Sequence, residues 1–338
     1  MSAAPSPADA PSPADAPSPA DAPSPAVTTD LGIPILDAIA RRPRMAALIG
    51  ALCIAFSGIF YRFAEVSPST GTVYRAVFGL PLLILVALAE RRRYGPLPGR
   101  ARRLAALAGI FFAGDLLFWH NAIEYVGAGL ATVLGNLQVV IVGVVAWLFL
   151  GERPSRSTLA GVPVVLVGVV LISGVVGTGA YGKDPALGAV LGVLTALCYS
   201  GYLLLIRLGG RDVRRPAGPV AIATIAVAMT ASGVGVVGGD LDVLPAAASL
   251  FWLAMLGISS QSIGYLMISI SLPRLPVAVT SVILLAQPPT TVVLSAILLA
   301  ERPSIVQLAG VGLVLAGIAV ATLPVARVRD RWRRSAPA

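Results

Sequence analysis

The sequence has little charge for its length. Charged residues make up only 12% of its 338 residues, whereas hydrophobic residues make up 57%. A soluble protein carries about 25% charged residues, and a soluble fold of this size could not cover so much apolar surface. In a bilayer each backbone N–H and C=O must be satisfied within its own segment, so long apolar stretches must be helices. The composition therefore predicts an all-α integral membrane protein.

Chemically reactive side chains are also scarce. The chain has one histidine and two cysteines, and Cys53 and Cys198 both lie in apolar segments. This excludes a disulfide framework and a CxxC metal site. The sequence has no GxxxxGK[ST] loop for nucleotide phosphates. Catalysis in the membrane would require clustered carboxylates, metal-ligating histidines or a nucleophile beside its base. We therefore expect no enzyme activity, no metal site and no cofactor.

The basic residues are almost all arginine and lie in short runs between apolar segments. The net charge of +9 would indicate nucleic-acid binding in a soluble protein, but this distribution is typical of membrane topology and gives no reason to expect a nucleic-acid partner. If the amino terminus is cytoplasmic, every basic residue except Arg62, Arg75, Lys183 and Arg302 falls on the cytoplasmic side. We therefore expect a multi-pass protein of the cell membrane with both termini in the cytoplasm.

The ends of the chain differ from its apolar centre. The first 26 residues repeat Pro-Ser-Pro-Ala-Asp-Ala, a composition that cannot bury a core. We expect 1–44 to be a disordered cytoplasmic tail and 326–338 a basic cytoplasmic tail. Between them lie ten apolar stretches of about the 20 residues that span a bilayer. They cover 45–63, 71–89, 104–123, 128–150, 157–176, 186–206, 218–237, 248–270, 277–299 and 306–324.

A charged motif occurs twice. Glu152-Arg153-Pro154-Ser155 recurs 149 residues later as Glu301-Arg302-Pro303-Ser304, each time directly after an apolar stretch. Aligning 152–168 with 301–317 gives 11 identities in 17 positions. Apolar helices share leucine and valine by chance, but not a charged motif in register. The chain is therefore predicted to be a tandem repeat, with copies at 45–176 and 186–325.

Five predicted helices separate the two copies of the motif. Because five is odd, the repeats have opposite orientations in the membrane. Inverted repeats are typical of transporters, whose substrate site lies near the midplane between the halves.

These loops resemble the Glu-Arg motif that closes the fourth helix of each EamA repeat in the drug/metabolite transporter superfamily. The resemblance covers Met45 to Val325 and implies ten helices and export of amino acids, metabolites or drugs. Two departures stand out: only the second copy has the mid-helix proline of the family, and the second half has no evident counterpart of Arg75. The matching residues outside the loops are Arg75, Gly161, Gly168, Gly310 and Gly317; the prolines are Pro288 and Pro289, against Val139 and Val140.

Ionisable groups within the membrane are costly and so indicate a functional site. Asp115 is interpreted either as a proton or substrate-ammonium site, with Arg75 as a carboxylate anchor or gate, or as one half of a structural ion pair with Arg75. By depth, Arg75 lies level with His120, so His120 or Glu124 is an equally good partner. His120, the only histidine, suits proton coupling. Beside Trp119, which could form an aromatic wall, it could equally be a packing residue.

Amide side chains form a second group of candidates. Gln138 and Gln287 are 149 residues apart, so they occupy equivalent positions and either line a cavity or bond across helices. Gln261, with the neighbouring serines 259, 260 and 262, predicts a polar patch that faces the same cavity. For Glu152 and Glu301 we expect local pairing with the adjacent arginines and helix capping, and no role in transport.

The combination favours a secondary transporter that exports small metabolites such as amino acids or drugs by alternating access. Its expected partners are a small-molecule substrate, the lipid bilayer and protons as a candidate coupling ion. The alternative is a lipid flippase or an accessory membrane subunit with the same fold.

Overall fold

The computed structural model describes residue 31 and residues 33–151, 156–209, 212–275, 279 and 283–322. Most of the predicted amino-terminal tail, the predicted tail 326–338 and the first Glu-Arg-Pro-Ser motif lie outside the described residues. All regular secondary structure in the described part is helical.

The helices follow the predicted order with several interruptions. The first half contains α1 (Pro34–Ala40), α2 (Pro43–Ala55), α3 (Ser57–Ala64), α4 (Pro68–Tyr94), α5 (Gly99–Val126), α6 (Ala128–Gly135), α7 (Gln138–Leu150) and α8 (Arg156–Ile172). The second half contains α9 (Pro185–Leu208), α10 (Ala217–Gly238), α11 (Ala247–Met255), a π-helix (Leu256–Gly264), α12 (Tyr265–Ser271), a 3₁₀ turn (Leu272–Arg274), α13 (Gln287–Leu298) and α14 (Ile305–Thr322).

Eight helices in the described part are long and apolar enough to cross a membrane. They run over Pro43–Ala64, Pro68–Tyr94, Gly99–Val126, Ala128–Val145, Pro185–Leu208, Ala217–Gly238, Ala247–Ser271 and Ile305–Thr322. Two of the ten predicted spans correspond to shorter apolar helices, Arg156–Ile172 and Ile283–Leu298. The structure therefore supports a multi-pass helical membrane protein with eight full-length spans by this criterion.

Two of the differences from the predicted boundaries have a clear physical reason. Residues 34–40, assigned to the tail, form helix α1, which begins at a proline and buries Leu36 and Ala40. Helix α4 was expected to end at residue 89 but continues through the arginines 91–93. Arginine is a good helix former and is favourable near a helix carboxyl end, so the helix outlasts its apolar stretch.

Helices α8 and α14 show how the two halves are related. Gly310 faces Gly168 so closely that an added Cβ would lie 2.7 Å from the Gly168 carbonyl oxygen, and Gly317 faces Gly161 in the same way. Because 161 and 310, and 168 and 317, are each separated by the repeat offset, the two contacts exchange under a twofold relation. Two further pairs of equivalent helices are also in contact: α4 packs against α10 and α6 against α13.

The glycine contacts give a stability prediction. Gly310→Ala is expected to destabilise the fold by about 2 kcal/mol, because its Cβ would overlap backbone atoms of α8. Gly312, on the same helix, has no atom within 4 Å of its Cβ position. There, alanine should be neutral or stabilising by up to about 1 kcal/mol, since glycine is the poorer helix former. Thermal unfolding of the purified variants in detergent measures both; equal shifts would contradict this packing.

Candidate functional site

A cavity of about 1050 Å³ lies between the two halves. Its lining begins at loop residues Leu97, Val213 and Leu275 at one end of the helices and reaches Trp119 and Thr132 deep in the bundle. We call this end of the protein the open end and the opposite end the closed end. The volume is ample for a small solute, and the position matches that expected between inverted repeats.

Arg75 lies at the deep end of the cavity and is buried. Its Nε donates a hydrogen bond of 3.0 Å to Oε1 of Gln261, and its guanidinium lies 5.7 Å from the centre of the Trp119 ring. The predicted partners were Asp115, His120 or Glu124; the hydrogen-bonded partner is instead Gln261. Within the described residues the two Nη groups make no hydrogen bond, so they are available to a solute.

The hydrogen bonds continue from Gln261 across the molecule. Its Nε2 donates to Oγ1 of Thr224 at 2.9 Å. Thr224 lies 149 residues after Arg75 and is therefore its repeat equivalent. The second half thus has a threonine where the first has the arginine, and Gln261 joins the two. The chain of bonds fixes the Arg75 side chain where α4, α10 and the π-helix meet.

The predicted polar patch around Gln261 does not line the cavity. Gln261 is buried behind Arg75, and Ser260 and Ser262 donate hydrogen bonds to the backbone oxygens of Cys53 and Gly79, at 2.8 and 2.6 Å. Their hydroxyls therefore bond neighbouring helices, and Gln261 acts on the cavity only through Arg75.

Asp115 lines the same cavity as Arg75. Among the described residues its carboxylate has no hydrogen bond or ion pair, although its charge interacts with that of Arg75. The directly bonded Arg75–Asp115 pair considered as an alternative is therefore not formed. Within the described residues, the Asp115 carboxylate and the Nη groups of Arg75 therefore have no hydrogen-bond partner, and both charges face the cavity.

Aromatic side chains surround these charges. Tyr199, Tyr202 and Tyr265 line the cavity, and the rings of Tyr199 and Tyr202 stack at 5.5 Å between centroids. Phe112 packs behind them, and its ring centroid lies 4.7 Å from that of Tyr202 and 5.2 Å from that of Tyr265. Sequence reasoning missed Tyr265. The repeat offset pairs Asp115 with Gly264. Tyr265 directly follows this counterpart of Asp115, and that position could have indicated its place in the site.

Trp119 and His120 fall on different sides of the cavity wall. Trp119 lines the cavity, whereas His120 is fully buried beyond it, toward the closed end. Nδ1 of His120 lies 2.8 Å from Oγ1 of Thr72, and its ring stacks on Tyr61 at 4.2 Å. Its Nε2 has no hydrogen-bond partner in the described part of the chain. The structure thus brings Arg75, Asp115 and Trp119 together and leaves His120 outside.

Gln138 and Gln287 both line the cavity, as one of the two interpretations expected. Each is the first residue of a helix that follows an interruption. Pro288 and Pro289 lack the N–H groups that would continue the helix before Gln287. The first interruption has no proline; there the Asn136 amide donates to the Thr132 carbonyl oxygen at 2.8 Å, competing with the backbone ladder. Interrupted helices are characteristic of transporter sites.

The closed end is held by Glu301. Its carboxylate oxygens accept hydrogen bonds from the backbone N–H groups of Ala128 (2.6 Å) and Gly129 (3.1 Å), the start of α6. The expected local pairing with Arg302 is not formed in the described residues. Glu301 instead caps the amino terminus of α6, and this cap joins the two repeats. A carboxylate at a helix amino terminus accepts hydrogen bonds from the free N–H groups and is stabilised by the positive end of the helix dipole. Glu152, its repeat equivalent, lies outside the described residues.

The loops at the open end are joined by a second long-range cap. Glu90 accepts hydrogen bonds of 2.8 Å from both Ala217 and Gly218, the start of α10. Arg215 donates to the carbonyl oxygen of Pro96 at 3.0 Å and pairs with Asp212 at 3.1 Å. Burial raises the pKa of Asp212, but hydrogen bonds from Arg214 outweigh it and leave the pKa below its usual value.

Known proteins are similar to this one in sequence and in fold. The sequence model of the EamA-like transporter family matches residues 43–174 and 186–323. The protein belongs to the EamA-like transporter family. An uncharacterized transporter of Archaeoglobus fulgidus is 26% identical over 275 residues, covering 78% of this chain and 92% of its own length. One from Helicobacter pylori is 26% identical over 230 residues, covering 63% and 72%.

A solved crystal structure of a protein has the same fold. It matches with a TM-score of 0.59 and 20% identity, covering 85% of this chain and 97% of its own. The apolar helices and the family together make this EamA-like protein a multi-pass membrane transporter.

Proposed function

We propose that this EamA-like transporter exports small zwitterionic solutes, amino acids foremost, by alternating access through ten spanning helices. The observation that carries the proposal is the deep end of the cavity between the repeats. There, among the described residues, the two Nη groups of Arg75 and the carboxylate of Asp115 have no hydrogen-bond partner. A solute with one carboxylate and one ammonium group complements both charges.

Arg75 is assigned to the substrate carboxylate. Its bond to Gln261 fixes the side chain through Nε, so the two Nη groups can bind a carboxylate in the bidentate geometry that guanidinium favours. Asp115 is assigned to the substrate ammonium, with tyrosine faces beside it that favour a cation. The apolar remainder of the cavity wall suits an amphipathic solute.

Asp115 also gives a route to proton coupling. A single carboxylate binds either an ammonium group or a proton, so a proton that arrives from outside displaces the substrate. Substrate leaving and proton entering then exchange across the membrane, and the proton gradient drives export. The substrate's own gradient drives the same cycle downhill when no proton gradient is present.

The direction follows from the arginines. The open end is the end where α4 ends in Arg91, Arg92 and Arg93 and where α5 begins with Arg100, which the positive-inside rule assigns to the cytoplasm. With this orientation the termini are cytoplasmic and the structure is the cytoplasm-facing state. At the other end, the Glu301 cap and the Arg62–Glu124 pair of 3.1 Å close the external side.

A substrate panel in proteoliposomes tests this function. Purified protein should transport a zwitterionic amino acid, and an imposed pH gradient should drive its uphill accumulation. The decarboxylated amine and the deaminated acid of the same side chain should be transported at least tenfold less well, since each leaves one buried charge unpaired. Arg75→Gln should raise KM for the amino acid about tenfold or more and change that for the amine little.

Equal transport of all three compounds would contradict the two-charge site. Movement of a fluorescent phospholipid between leaflets, with no solute transport, would favour the flippase alternative. Vesicles without protein provide the background.

A further inference from the structure

A second, smaller pocket of about 350 Å³ lies at the open end, beside the mouth of the transport cavity, with which it shares Leu275. It is formed where the turn after α1 leads into α2 and where the 3₁₀ turn follows α12. Its lining is mainly basic: Arg41, Arg42, Arg44 and Arg274 surround it, together with Pro43, Met45 and Leu275. Four guanidinium groups around one pocket produce a strong local positive potential.

Three of these charges, those of Arg41, Arg42 and Arg44, are not neutralised within the described part of the protein. Arg41, Arg42 and Arg44 are exposed there, and none has a carboxylate partner. Asp37 is the acidic residue whose charge acts on Arg274. A pocket with four cations and one nearby carboxylate is complementary to an anion.

Its depth relates it to the membrane. Arg42 and Arg44 flank Pro43, the first residue of the span Pro43–Ala64, and Arg274 follows the span Ala247–Ser271. The arginines therefore lie where two helices leave the hydrocarbon, which is the level of the lipid phosphates.

An apolar stripe begins at the same pocket. Met45 is one of its lining residues, and Leu48, Ile49 and Leu52 are exposed along α2. Positions three, four and seven apart share one face of a helix, so the stripe runs from the pocket toward the bilayer midplane.

We propose that the four arginines bind the phosphate group of an anionic phospholipid whose acyl chain lies along this stripe. Guanidinium groups bind phosphate through paired, charge-assisted hydrogen bonds, and basic pockets at the ends of transmembrane helices suit lipid headgroups. Inorganic phosphate shares the headgroup chemistry but makes no use of the apolar stripe. The site adjoins the mouth of the transport cavity at Leu275, and the proposal does not depend on the proposed substrate.

Native mass spectrometry of the full chain tests this site. The protein is released from nanodiscs of phosphatidylglycerol and phosphatidylcholine, and the fraction that retains phosphatidylglycerol is measured. Changing Arg41, Arg42 and Arg44 together to Gln should lower that fraction about tenfold or more, since it removes three of the four cations that surround the phosphate group. The control, with Arg100, Arg102 and Arg103 changed to Gln, removes the same charge from the same end and should stay within twofold.

Two further arms decide the source of the anion. Leu48→Ser with Leu52→Ser should also lower lipid retention, and millimolar inorganic phosphate should not displace the lipid. Any of three results would overturn the proposal. The two triple-arginine variants could lose lipid equally, or the wild type could show no preference for phosphatidylglycerol. The third result is displacement of the lipid by phosphate while the serine variant retains lipid as the wild type does. Arg44→Gln alone, with a smaller loss expected, provides a reading should the triple variant fold poorly.

Discussion

Replacing Asp115 with asparagine is expected to abolish uphill export driven by a pH gradient while leaving downhill exchange of substrate. Asparagine is nearly the same size and its amide oxygen still accepts a hydrogen bond from an ammonium group. It cannot take up a proton, so proton entry no longer displaces the substrate. We expect the accumulation ratio to fall to about one and the KM for exchange to rise about tenfold, measured with radiolabelled amino acid in proteoliposomes.

The control for this variant is Asp240→Asn. Asp240 is exposed near the closed end, and its hydrogen bonds to Ser67 and Thr70 use its backbone oxygen, which the change preserves. Accumulation should be unchanged in this variant. Wild-type uphill accumulation by Asp115→Asn would show that the coupling proton binds elsewhere; His120 would then be the first alternative.

Replacing Glu301 with glutamine is expected to destabilise the protein by about 2–4 kcal/mol, because the buried carboxylate accepts two backbone hydrogen bonds at the start of α6. A glutamine offers one acceptor, and its NH₂ group would face the other N–H. The repeats would also lose a direct bond at the closed end. Unfolding of the purified protein in mixed micelles measures the free-energy difference.

Glu124→Gln is the matched control for Glu301. Glu124 lies at the same end, and its pair with Arg62 is partly exposed, with side-chain exposures of 31% and 40%. Such pairs contribute about 0–1 kcal/mol, so this change should have little effect. Similar losses for the two variants would contradict the capping role of Glu301.

The features that depend on pattern alone were predictable from the sequence. Long apolar stretches must be helices in a bilayer, and a charged motif repeated in register revealed the two halves. The same offset paired Gly161 with Gly310 and Gly168 with Gly317, and in the structure Gly168 contacts Gly310 and Gly161 contacts Gly317 across α8 and α14. It also placed Gln138 and Gln287 in equivalent positions, and both line the cavity.

Contacts between distant helices were not predictable in this way. Depth along a helix gave the level of Arg75 but not its facing neighbour, so the bond to Gln261 was missed. Glu301 was expected to pair with the adjacent Arg302, because that pairing and helix capping were enough to explain a glutamate at this position. Its bonds to the start of α6 were therefore missed. His120 shares its level with Arg75, but its side chain points away from the cavity that the neighbouring Trp119 lines. Consecutive side chains on a helix point in directions about 100° apart, so depth alone did not give the direction.

The central claim is that the cavity between the inverted repeats faces the cytoplasm. Cysteine accessibility tests this claim most directly. Asn136 lines the cavity and Asp240 lies near the opposite end, so each is replaced by Cys in a protein whose Cys53 and Cys198 are changed to alanine. With a membrane-impermeant maleimide and no substrate, Asn136→Cys should be labelled in inside-out vesicles only. Asp240→Cys should be labelled in right-side-out vesicles only. Labelling of Asn136→Cys from the outside alone, or from neither side, would contradict this account.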